Sequence, residues 1–250
     1  MPADSTRGGW QPPLSMTIVS SVLAGLIGAC IICLIDPVFA IDALPELPIE
    51  PSDEQIAAKW KSESDFYGRN AALDMAILAG LLGMSIGAGT VSRARVQSGL
   101  AGGAVAAVAA ATSAYITGRP IGWAMLVSED QSLVQSGMLM FAVWGALAVG
   151  MAIAIGFVQG GAASVVQSII SAIISAIFVV IAHTIVFAIA FPSANLIFVV
   201  PNSTAERVVW GVTCCTVLGL GMAIAMRTEK KLPNDTPELD VGTEAISNKD

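Results

Sequence analysis

His183 is the single histidine of this chain, and it lies in an uncharged apolar stretch. An imidazole inside a membrane can carry protons, but a relay needs a chain of such groups. No carboxylate or second histidine stands near it in sequence. The plainer chemistry is a neutral ring bonded to a neighbouring helix. Asp74 sits about one turn inside another apolar stretch. A carboxylate there is costly unless it is paired or hydrated. Arg119, at matching depth in the next helix, offers a structural pair. The sharper reading is a cation or proton site. Ser164, Ser168, Ser171 and Ser175 form a stripe at helical spacing, with Gln167 beside it. Such a stripe can line a polar path. Serines in membrane helices more commonly pack closely and bond carbonyls of their own helix. The candidate polar path or cation site is therefore Asp74, His183, Ser168, Ser171 and Ser175.

The four cysteines, Cys30, Cys33, Cys214 and Cys215, all lie in apolar runs. A disulfide or a four-thiolate metal site would demand specific geometry. The reading as small buried hydrophobes is preferred. There is no GxxxxGK[ST] nucleotide loop, no HExxH and no GxSxG. Neither catalysis nor a metal or cofactor is expected. Asn202-Ser203-Thr204 matches a glycosylation sequon, which matters only in a eukaryotic secretory membrane.

The elements that must hold these residues are membrane helices. The chain is 55% hydrophobic and 12% charged, against about 25% charged in a soluble domain. Its net charge of −7 argues against a nucleic-acid partner, which would need clustered Lys and Arg. A bilayer span takes roughly 20 apolar residues. On that length the chain divides into spans near 14–35, 71–91, 98–118, 137–158, 165–191 and 208–226. The first span exceeds the roughly 7–15 apolar residues of a signal peptide. It is read as a retained anchor, with cleavage after Val38-Phe39-Ala40 as the alternative.

Between the spans, residues 36–69 form an acidic loop with an extended Pro-rich half, Pro37 to Pro51. Ser52 and Gln55 then make a capping box for an amphipathic helix carrying Ile56, Trp60 and Tyr67. That helix either lies on the membrane or bundle or runs on into the second span, since no Pro or Gly intervenes before Gly68. A second capping box, Ser128 with Gln131, precedes the fourth span. The segment Leu196 to Val200 is expected to be interfacial or re-entrant. Residues 1–13 form a short leader, and 227–250 a polar tail expected to be disordered.

Small residues mark the packing faces. Gly99, Gly103 and Ala107 are four apart in the third span, beside a second stripe of Gly102, Ala106, Ala110 and Ala114. Gly83 and Gly87 mark the second span, and Gly211 and Gly219 the sixth. Such stripes let membrane helices touch backbone to backbone. The expected fold is all-α: a polytopic transmembrane helix bundle with glycine-zipper-like packing. The second, third and sixth helices are expected at its tight centre.

Arg93 and Arg95 make a short acid-free basic turn, and basic short loops stay cytoplasmic. Both termini are thus expected in the cytoplasm of a plasma or inner membrane, with the acidic loop outside. Trp123, Trp144 and Trp210 would then form an outer aromatic belt. Lipid is the expected surrounding, with a second copy or another membrane protein as partner. Two functions follow. The preferred one is a non-catalytic structural or assembly component. The alternative is a channel or secondary transporter for a small solute or ion.

Overall fold

A computed structural model describes residues 14–39, 52–90, 95–117, 133–159, 162–194 and 199–228. Among them all regular structure is helical: α1 (Leu14–Ile35), α2 (Asp53–Thr90), α3 (Arg95–Ile116), α4 (Leu133–Gln159), α5 (Ala162–Ala190) and α6 (Thr204–Thr228). All six are long and apolar enough to cross a membrane, as a multi-pass membrane protein requires. Backbone groups in hydrocarbon must bond within their own segment, which is why apolar runs of this length become helices.

Each helix packs on its neighbours in sequence, and α1 packs on α6, so the six close into a ring. Its interior is apolar and continuous. Met75, Leu78, Leu82 and Ile86 of α2 meet Trp144, Leu147, Met151 and Ile155 of α4, with Trp210, Leu218 and Met222 of α6. Outward faces are equally apolar. Ile170, Ile174, Phe178, Ile181 and Ile185 of α5 are exposed, as a lipid-facing side requires.

The amphipathic helix and the second span form one continuous helix, α2. At 38 residues and ~1.5 Å per residue, it is far longer than the ~30 Å hydrocarbon core. Its start is capped as the sequence predicts. The Ser52 N–H donates to Gln55 Oε1 (3.0 Å), and the Gln55 N–H donates to Ser52 Oγ (3.3 Å). A further reciprocal cap opens α6. The Ser203 N–H donates to Glu206 Oε2 and the Glu206 N–H to Ser203 Oγ, both at 3.3 Å.

The small-residue stripes sit where helices come closest. A Cβ on Gly83 would lie 2.5 Å from the Gly102 carbonyl oxygen, and one on Gly103 would lie 2.9 Å from that of Gly80. A Cβ on Gly87 would run into the Ser98 carbonyl, and one on Gly99 would meet Met84 O at 3.2 Å. Ala107 faces Gly80 across the same seam. The partner of α6 is α1. A Cβ on Gly211 would lie 2.9 Å from Gly25 O, and one on Gly219 would strike the Ser21 side chain.

The tight centre differs from expectation. The most enclosed span is α4, with 67% of its apolar stretch buried against 33–44% in the other five. Small residues bring two helices together in a pair. The middle of a ring of six leaves more volume, which large side chains must fill at close-packed density. For the same reason the aromatic belt is corrected. Trp144 and Trp210 are both 0% exposed and meet edge to face, with ring centroids 5.8 Å apart. Trp123, residues 40–51 of the Pro-rich stretch, the second capping box and the C-terminal end of the tail lie outside the described residues.

Candidate functional site

A shielded ion pair lies where α1 ends and α6 begins, beside α2. Asp36 closes α1, its N–H donating to the Ile32 carbonyl (2.9 Å). Arg207 stands in the first turn of α6, fixed there by the Ser203–Glu206 cap. Its Nη2 donates to Asp36 Oδ2, and its Nε donates to the Pro201 carbonyl (2.7 Å). The guanidinium thus ties the end of α1 to the connection that leads into α6. Both members of the pair are largely shielded, with side chains 13% and 12% exposed.

Asn70 of α2 holds the same corner. Its Oδ1 accepts from the Val38 and Phe39 N–H groups (both 3.0 Å), and its Nδ2 donates to the carbonyls of Phe39 (3.2 Å) and Phe66 (3.1 Å). Asp74 lies four residues on, so it shares that face one turn deeper. It is 2% exposed and within electrostatic reach of Asp36 and Arg207. Arg119, its expected partner, lies outside the described residues; among the described residues the cation within electrostatic reach of Asp74 is Arg207. Arg207 gives its ion pair to Asp36. Among the described residues no hydrogen bond or ion pair reaches the Asp74 carboxyl.

The other predicted polar residues lie elsewhere. His183 of α5 is 3% exposed and stacks on Phe187, one turn on, with ring centroids 4.3 Å apart. Its Nε2 has no hydrogen-bond partner among the described residues. Ser175 is buried and its Oγ donates to the Ser171 carbonyl (2.7 Å). That back-bonding to the preceding turn is the local use of serine in a helix. Ser175 also packs so closely on Gly221 that a Cβ there would strike its hydroxyl. Ser171 is half-buried and Ser168 buried, with the Ser168 hydroxyl unpaired among the described residues. Gly221 is fourteen residues along α6 from Arg207, or ~21 Å of helix. The serine stripe and the charge cluster are therefore near opposite ends of the bundle.

The four cysteines are free. Cys214 and Cys215 are core residues, Cys33 is half-buried and Cys30 faces outward. No group of three or more metal-ligating side chains exists among the described residues.

Sequence reading overlooked Asp36, Asn70 and Arg207. Signals were present. Asn70 and Asp74 stand four apart at the head of an apolar run, and Ser203-x-x-Glu206 fits a capping box that places Arg207 in a first turn. Comparison with protein-family models, with curated proteins and with solved structures finds no match for the chain.

Proposed function

We propose that this protein is a non-catalytic structural or assembly component of its membrane. The observation that carries this reading is the dispersal of its buried polar groups. Asp74 joins the corner of α1, α2 and α6, His183 stacks on Phe187, and Ser175 is bonded within α5. The ring between them is filled by large apolar side chains of α2, α4 and α6. A permeation path would need its polar groups to face one water-filled cavity.

In this reading both termini are cytoplasmic in a plasma or inner membrane. The apolar outer faces of α1 and α5 meet lipid, a second copy or another membrane protein. A channel or secondary transporter is the second reading. The buried Nε2 of His183 and Oγ of Ser168, both without described partners, favour it.

Flux measured in liposomes containing the purified protein decides between the two. The structural reading expects no transport of ions, protons or small osmolytes, and partners that co-purify from the native membrane. Flux that disappears in Asp74→Asn or His183→Ala would establish transport and place that residue on the path.

A further inference from the structure

We propose that Asp36, Asp74 and Arg207 form a binding site for one monovalent cation, a proton or an alkali-metal ion, held at the Asp74 carboxyl. The site does not depend on either functional reading above. One carboxylate is paired with the guanidinium in this corner, and a second lies within its electrostatic reach. The guanidinium is committed to Asp36 and to the Pro201 carbonyl. Asp74, a residue only 2% exposed, is left without an ion pair among the described residues, one turn below Asn70 on the face that grips the end of α1. An unpaired buried charge costs several kcal/mol, and one positive charge held against it offsets part of that cost.

Among the described residues, the charged side chains within electrostatic reach of Asp74 are Asp36 and Arg207. From α1 comes Asp36, and from α6 come Arg207 and the cap residue Glu206. The α2–α3 register, set by Gly83 against Gly102 and Gly80 against Ala107, brings Tyr115 of α3 towards the same end. The α4 helix, Leu133–Gln159, has no ionisable side chain. Asn70 cannot serve as a further ligand through its Oδ1, which already accepts two backbone N–H groups.

The test is thermal unfolding of the full-length protein in detergent, followed by the fluorescence of the buried Trp144 and Trp210. One series varies pH with choline as the only added cation. The other replaces choline by sodium or potassium at fixed pH and ionic strength. A ligand that binds only the folded state raises the midpoint by roughly 3–5 °C per tenfold rise in its concentration. The series that responds names the occupant. Asp74→Asn removes the ligand and is expected to abolish the response. Asp36→Asn frees Arg207 for Asp74 and is expected to abolish it too. Glu206→Gln, which keeps the helix cap, is expected to retain it.

A wild-type midpoint indifferent to both series overturns the site. So does a response that survives in Asp74→Asn or Asp36→Asn. Should one of these two variants not fold, the other decides together with the wild-type titration.

Discussion

At the scale of single residues, the bundle concentrates its polar bonding in one corner. Arg207 joins two helix ends that are far apart in sequence, and Asn70 fastens the end of α1 to α2 with three hydrogen bonds. Removing one member of a shielded ion pair strands the other, at about 3–5 kcal/mol. Arg207→Ala is therefore expected to lower the thermal midpoint markedly in detergent. Arg207→Met combined with Asp36→Leu is expected to lose much less, because neither member of the pair is left stranded by the other. A double variant as unstable as Arg207→Ala would show that the pair's geometry, rather than its charge, holds the corner. Asn70→Ala leaves two backbone N–H groups without an acceptor, each worth about 1–3 kcal/mol when buried. It is expected to loosen Val38 and Phe39, read as faster amide exchange at those two positions.

At the scale of helices, close approach of backbones sets which pairs form. The α2–α3 seam has no room for side chains at Gly83, Gly87 or Gly103. Gly83→Ala is expected to cost about 1–3 kcal/mol by forcing the helices apart. Gly103→Leu should cost more, since it meets both Met84 and the Gly80 carbonyl. A Gly103→Leu protein that folds and assembles like the wild type would refute this packing. Gly89 is the internal control. Nothing lies within 4 Å of a Cβ placed there, so Gly89→Ala is expected to be neutral or stabilising by about 0.5–1 kcal/mol. The stripes themselves were legible from spacing four apart. Which helix each would meet was not, because a stripe on α6 fits α1 or α2 equally well until the ring order is known.

At the scale of the whole molecule, consecutive helices close a ring around one apolar interior. Three tryptophans were expected at the interface on depth alone. Two of them instead turn inward and fill the space between α4 and α6. Orientation in the membrane has its own test. In the proposed topology a cysteine introduced by Ser92→Cys reacts with an impermeant reagent only from the cytoplasmic side. Labelling from outside would invert the arrangement.

The sequence by itself determined that this is an all-α chain with six helices able to span a membrane. The physical reason is local. Length and hydropathy decide whether a segment can span, and a spanning backbone must satisfy its own hydrogen bonds. It also marked the cap at Ser52 and the small-residue faces, which depend only on neighbours a turn apart. Tertiary structure alone decided that α1 closes the ring against α6, that Arg207 comes within electrostatic reach of Asp74, and that Trp144 and Trp210 lie in the core. These depend on how each helix is rotated and which helix it faces. Both are settled by packing among residues as far apart as Asp36 and Arg207, 171 positions along the chain.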